Sequence, residues 1–238
     1  MFINNQLNSN HLAQTVVSDA RNFNSQKEIK NLWLIKAVGI YSILEIRAIK
    51  GKEIIIKTFK GSSYENTDDL KQAFEDEALK LNEQGYNIYI VMNPIKESFT
   101  GYSASDDDIE YRDLLLIDID RSQKSEGPAN QAELDAALAL ANDITKYLKS
   151  QSWDKPILVM SGNGYHLYYV LNKLPNDIKH KKLVVTVLKE LADHFNNSVV
   201  KVDTIVFNAS RITKVPGTIA YKGIATQTRP YRMARVMS

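Results

Sequence analysis

Apolar residues recur along this chain with two different periods, and each change of period marks a new element. Residues 40–49 (IYSILEIRAI) and 52–59 (KEIIIKTF) read as two strands that meet at Lys50-Gly51, a hairpin turn. Leu70, Phe74, Ala78 and Leu81 then fall three and four apart, which places them on one helical face. Thr67 is the expected N-cap, Asp68 and Asp69 suit the first turn, and Gly85 is the expected terminator. Residues 86–94 (YNIYIVMNP) form the next strand, stopped at Pro94. Ahead of these, residues 10–38 mix polar and apolar positions around Leu32, Trp33, Leu34 and Ile35 and predict one or two helices.

The pattern becomes more regular downstream. Residues 113–120 (DLLLIDID) run apolar into two aspartates and read as a buried strand. Leu134, Ala137, Leu138, Ala141, Ile144 and Leu148 predict a helix near 130–151. PILVMSG (156–162) and YHLYYVL (165–171) are strands meeting at Gly162-Asn163-Gly164. Asn176 or Asp177 caps a second helix with the stripe Val184, Val187, Leu188, Leu191 and Phe195, and VVKVDTIVF (199–207) closes the series as a strand. The order βαββαβ predicts an α+β fold with a ferredoxin-like (RRM-like) palm. Such a palm has a mainly antiparallel sheet with two helices on one face and the other face open for binding. Residues 95–110 are polar, with Asp106, Asp107 and Asp108 in a row, and read as a solvated connection. They divide an N-terminal α/β subdomain, residues 1–100, from the palm, residues 101–238.

Composition narrows the chemistry. The chain has 238 residues, of which 44% are hydrophobic, enough for a sizeable core. It has no cysteine, which excludes disulfides, thiol nucleophiles and cysteine zinc ribbons. His11, His166, His180 and His194 do not fall at zinc-ligand spacing, so no zinc is expected. Neither a signal-peptide layout nor an apolar run of membrane-spanning length is present, and the expected location is the cytoplasm. Net charge is +2, unevenly spread: seven basic residues and one acidic from Val200 onward give +6 there and leave −4 for the first 199 residues. A basic C-terminal segment behind an acidic centre suits a protein that holds cations and polyanions side by side.

Three groups of polar residues are candidates for that task. Asp118 and Asp120 leave a strand on the same face, their Cβ atoms about 6–7 Å apart, a spacing a hard divalent cation can bridge. Asp203 follows Val202 in the last strand and offers a third carboxylate, so two Mg²⁺ or Mn²⁺ ions can be held. In the hairpin, Gly162 and Gly164 let backbone amides approach a ligand, Ser161 adds a hydroxyl, and His166 shares a strand face with Tyr168. The imidazole can donate to a phosphate, and Tyr168 can pack on a base or sugar. Beyond the last strand, Arg211, Lys214 and Lys222 are suited to a triphosphate or a nucleic-acid backbone. A metal-dependent nuclease or nucleotide cyclase, or a single-strand-binding initiator module without chemistry, is compatible with parts of this pattern.

The blocks LLIDIDRS, SGNGYHLYYVL and VDTIVFNASRITKVPGT, in this order and spacing, resemble motifs I, II and III of the archaeo-eukaryotic primase superfamily. The likeness is to the form found in plasmid, phage and mobile-element primases and primase-polymerases, and it covers about residues 85–235. It implies a DNA primase or primase-polymerase, a nucleotidyltransferase that makes or extends primers on a single-stranded DNA template from NTPs or dNTPs. It further implies that Asp118, Asp120 and Asp203 ligate Mg²⁺ or Mn²⁺, and that His166, with Ser161, Gly162 and Asn163 beside it, contacts the incoming nucleotide. Arg211 and Lys222 become further phosphate contacts, and Asn93, in VMNPIKE, lines the site. Lys214, Arg229, Arg232 and Arg235 are the expected nucleic-acid contacts. Relatives often carry a zinc module or a helicase; neither is present, so the chain is expected to be one compact catalytic domain of a longer replication protein. A helicase or initiator is then expected in the same polypeptide or in trans, and no membrane partner.

Overall fold

The computed structural model describes residues 25–123 and 127–237; the start of the helical stretch expected over 10–38, and His11, lie outside them. The first described elements are two short helices, α1 (Ser25–Glu28) and α2 (Leu32–Ile35), joined by a 3-10 turn. The predicted hairpin follows as β1 (Ile43–Lys50) and β2 (Glu53–Lys60), antiparallel with Lys50 opposite Glu53. Helix α3 (Thr67–Glu83) buries Leu70, Phe74, Ala78 and Leu81 as its spacing requires. Its cap is Asn66 rather than Thr67: the Asn66 side chain accepts the amides of Asp68 and Asp69. That one-residue difference places Thr67 inside the helix. Strand β3 (Asn87–Val91) pairs antiparallel with β1.

The next six elements are β4 (Tyr111–Arg121), α4 (Gln131–Ser150), β5 (Ile157–Met160), β6 (Tyr165–Pro175), α5 (Ile178–Phe195) and β7 (Val200–Val202). They form the expected ferredoxin-like layer, with strand order β5-β6-β4-β7 and every neighbouring pair antiparallel. Leu115, Ile117 and Ile119 of β4 share one core with Leu134, Ala141 and Ile144 of α4 and with Leu188 and Leu191 of α5. Leu114, Leu115, Leu116 and Ile117 are all buried, so both faces of β4 are covered there, which explains why the strand is nearly continuously apolar before its aspartates.

The end of the chain stitches this layer to the first. Strands β8 (Ile212–Lys214), β9 (Ile219–Ala220), β10 (Arg232–Met233) and β11 (Arg235–Val236) are short. Strand β8 pairs with β3 and completes a four-stranded sheet, β2-β1-β3-β8, whereas β11 pairs with β5 at the edge of the five-stranded sheet. Two asparagines hold the segment between them. The Asn82 side chain exchanges hydrogen bonds with both backbone groups of Ile219, and Asn87 does the same with Tyr221. The second sheet partly covers the palm face expected to be open: Tyr168 of β6 meets the Thr213 side chain of β8. No helix among the described residues is long and apolar enough to cross a membrane.

Two expectations along the connections change. The strand expected over 199–207 stops at Val202, because the Asp203 carboxylate accepts the amide of Ile205 and turns the chain. The acidic connection is anchored, not solvated throughout. Ser105 and Asp108 form a capping box over a 3-10 turn, and Asp106 accepts the amide and hydroxyl of Ser210, with Lys181 3.5 Å away. These bonds hold the Asp106 carboxyl below the usual carboxylate range against the opposing effect of burial. Ile95, Phe99, Ala104 and Ile109 bury themselves against Ile43, Val91 and Ala209 and fasten the same segment.

Asn93, expected to line the site, is fully buried and structural. Strand β4 has a register shift between Arg112 and Leu114. The Asn93 carbonyl accepts the amides of Asp113 and Leu114 at 2.9 and 3.1 Å, and its amide donates to the Ala209 carbonyl at 2.9 Å. It therefore supplies the bonds the bulged strand lacks. Asn93→Ala is expected to reduce the unfolding free energy by about 2–4 kcal/mol, since it leaves three buried backbone groups without partners. Urea denaturation with an unchanged m-value checks this, and a loss under about 0.5 kcal/mol would contradict the assignment.

Candidate active site

The site forms where β4 leaves the covered core. Alternation turns Ile117 and Ile119 to the helices and Asp118 and Asp120 to the opposite face. Asp118 stands opposite His166 of β6, and Asp120 opposite Lys201 of β7. Asp203, just past β7, donates its amide to the Asp118 carbonyl at 2.8 Å, which fixes the third carboxylate beside the first. The Asp118 side chain keeps 21% of its surface exposed, so the carboxyl can be reached from solvent.

Charge couples these residues. Burial, and then the neighbouring Asp203, push the Asp118 carboxyl up to about 7, opposed by Arg211 and Lys222. Burial, and then Asp118, push Asp120 up to about 6, opposed by Lys222, His166 and Arg121. Two carboxyls that burial and mutual repulsion hold so high are a donor set that a hard divalent cation would ionise. Among the described residues, however, no three His, Cys, Asp or Glu side chains are gathered closely enough to form a ready coordination sphere. The Asp203 carboxylate is engaged by the Ile205 amide, and Asp118 Oδ1 lies 3.4 Å from His166 Nε2.

The glycine hairpin abuts the aspartates. A Cβ on Gly164 would collide with the Ile119 carbonyl and crowd Asp120 Oδ1, so only glycine lets the turn lie this close to β4. Gly162 has a φ of 100°, and a Cβ there would strike Ala220. Ser161 closes the turn through its amide and hydroxyl, both donating to the Gly164 carbonyl. The Asn163 side chain faces away from a ligand role and accepts the Ala129 amide. His166 is buried, and burial lowers its pKa to about 4, so the imidazole is neutral at physiological pH. Its Nδ1 is 3.0 Å from the Tyr168 hydroxyl. Tyr168 itself is only 1% exposed, so it offers no face on which a base or sugar can stack.

The expected cations divide into two groups. Arg211 and the exposed Lys222 both act on Asp118. Arg211 is braced by an Nη2 bond to the Ile205 carbonyl at 2.6 Å, and the Asn87–Tyr221 clamp holds the residue next to Lys222. The residues expected to grip nucleic acid are largely engaged inside the fold. Lys214 is buried, donates to the Ile219 carbonyl at 2.9 Å, and is pushed down to about 7 by desolvation. Arg229 makes a two-pronged contact with Glu133, and Arg232 donates to the Ala129 carbonyl. Arg235 lies in β11 opposite Met160. Backbone carbonyls and the Glu133 carboxylate claim these cations before any ligand does.

Tyr89 joins the site without a sequence signal of its own. It pairs with Lys214 across β3 and β8, lies under the Lys214 ammonium at 5.7 Å, and has its phenol pushed up by burial and then by Asp118 and Asp120. Only the pairing of β3 with the distant β8 brings it there.

No family model matches the chain, and no curated protein matches it in sequence. Solved structures do. The crystal structure of primase RepB' is similar with a TM-score of 0.51 and 11% identity, over 90% of this chain and 56% of that one. The chain thus spans little more than half the length of that primase. The polymerase domain from Mycobacterium tuberculosis Ligase D, in complex with DNA, is similar with a TM-score of 0.51 and 14% identity, over 88% of this chain and 79% of that one. At such identities the likeness is one of backbone architecture. The chain shares the backbone fold of primase RepB' and of the Ligase D polymerase domain.

Proposed function

We propose that the protein is a template-directed nucleotidyltransferase that makes or extends primers on single-stranded DNA. The observation that carries this reading is the charge coupling centred on Asp118. It is coupled to both Asp120 and Asp203 and lies 3.4 Å from a neutral histidine, with Arg211 acting on Asp118 and Lys222 on both Asp118 and Asp120. Mg²⁺ or Mn²⁺ held by Asp118, Asp120 and Asp203 would supply Lewis acidity for the attacking 3′-hydroxyl and the leaving pyrophosphate. His166 donates from Nε2 to a phosphate oxygen, as a neutral donor that brings no desolvated charge. Arg211 and Lys222 draw the triphosphate to the carboxylate edge and balance its charge there. The glycine hairpin holds β6, and with it His166, close against β4 because Gly164 has no side chain. A helicase or initiator that exposes single strands would complete the system, in the same polypeptide or in trans.

Asp118→Asn is expected to reduce nucleotide incorporation by about a thousandfold or more while single-stranded DNA still binds. Gel-based extension on a primed template, paired with fluorescence anisotropy, checks both halves. Extension at the parental rate would remove Asp118 from the chemistry.

The carboxyl pKa values set a second expectation. Folded Asp118 titrates at about 7 and Asp120 at about 6, against about 3.9 in an unfolded chain. Between these limits the two carboxyls bind more protons in the folded protein than in the unfolded one, so their contribution to metal-free stability falls as pH rises from about 4 to about 7, offset in part by His166, whose pKa is lowered to about 4. Mn²⁺ should therefore raise the melting temperature by several degrees at about pH 7.5 and far less at about pH 5. Asp118→Asn should melt higher than the parent without metal at the higher pH and lose most of the Mn²⁺ response. Differential scanning fluorimetry decides this, and equal Mn²⁺ shifts in parent and variant would contradict the ligand assignment.

A further inference from the structure

The imidazole of His166 does not stand alone beside Asp118. Its Nδ1 lies 3.0 Å from the Tyr168 hydroxyl, with the two rings edge to face at 74°. The Thr213 side chain in turn meets the Tyr168 hydroxyl. All three residues are buried, at 6%, 1% and 5% exposure, so water does not compete for these bonds. A phenol has one proton to give. The 3.0 Å contact suits donation of that proton to Nδ1, which leaves the ring proton on Nε2. Nε2 is the nitrogen that faces Asp118, at 3.4 Å. Tyr168 lies two residues from His166 on the same face of β6, whereas Thr213 belongs to β8 and pairs with Ile90 in the other sheet.

We propose that Tyr168 and Thr213 are positioning residues that fix the orientation and tautomer of His166, which makes the edge strand of the second sheet part of the nucleotide site. The inference rests on the nucleotide role proposed above for His166. It also explains a buried tyrosine hydroxyl next to a site it does not touch, since the phenol contributes through the imidazole alone. Docking of the four-stranded sheet is thereby coupled to the donor that meets the substrate. A palm that lost β8 would keep its aspartates and lose the alignment of its histidine.

The test uses the whole chain in primer extension, with nucleotide KM and kcat measured separately. Tyr168→Phe and Thr213→Val should each raise the nucleotide KM about five- to tenfold with kcat within about twofold of the parent. Thr213→Ser, which keeps the hydroxyl, should retain the parental KM. In a His166→Ala background, Tyr168→Phe should add nothing further. Should His166→Ala raise KM while Tyr168→Phe and Thr213→Val leave it unchanged, the positioning role is overturned and the nucleotide role of His166 stands. An equal effect of Tyr168→Phe with and without the histidine also overturns it. If His166→Ala changes neither constant, the underlying reading fails as well. A measurement on the unaltered protein is independent of any variant's folding: imidazole ¹⁵N shifts should report the Nε2–H tautomer of His166, and an Nδ1–H tautomer would contradict the proposal.

Discussion

Two carboxyls one strand-step apart, half withdrawn from water and facing a third, are an arrangement that no chain adopts for stability alone. Asp118 and Asp120 sit on β4, an interior strand of the five-stranded sheet, where an apolar residue would pack without penalty. The surroundings answer that repulsion in two ways: Arg211 and Lys222 bring opposing charge, and His166 offers a nitrogen. The rest of the fold holds these answers in place. The hairpin glycines bring His166 within reach, and the turn at Asp203 sets the third carboxylate.

A second constraint is the joining of the two sheets. Residues after Asp203 leave the palm, complete the other sheet as β8, and return to the palm edge as β11. Side-chain amides do most of the fastening: Asn82 and Asn87 grip the returning backbone, and Asn93 fills the bulge of β4. Each offers a donor and an acceptor at once, which lets it substitute for a strand neighbour where no strand is available. The site is therefore a product of both layers, and the contacts of Tyr168 with His166 and Thr213 cross between them.

Much of this was legible in the residues because it is local. Helical stripes such as Leu134, Ala141 and Ile144, and the turn at Gly162-Asn163-Gly164, identify their elements by period and turn chemistry. The ferredoxin-like order follows from those elements, and the facing of Asp118 and Asp120 follows from strand alternation. What was not legible depends on partners distant in sequence. Lys214, Arg229 and Arg232 look like surface cations until Ile219, Glu133 and Ala129 claim them. Tyr168 and Asn93 read as site-lining because nothing near them reveals that β8 covers one and that the β4 bulge consumes the other. Asp203 belongs to a third group: a strand-like run that its own side chain ends after Val202, a local competition that hydrophobic alternation does not register.

The central claim is that the carboxylate cluster serves templated nucleotide polymerisation. The most direct measurement is incorporation of labelled NTPs and dNTPs on circular single-stranded DNA with Mg²⁺ or Mn²⁺, run with and without the template. The account predicts labelled polymer that requires both the template and a divalent cation. Nucleotide turnover that proceeds equally without DNA, or no incorporation of either nucleotide under any of these conditions, would contradict it.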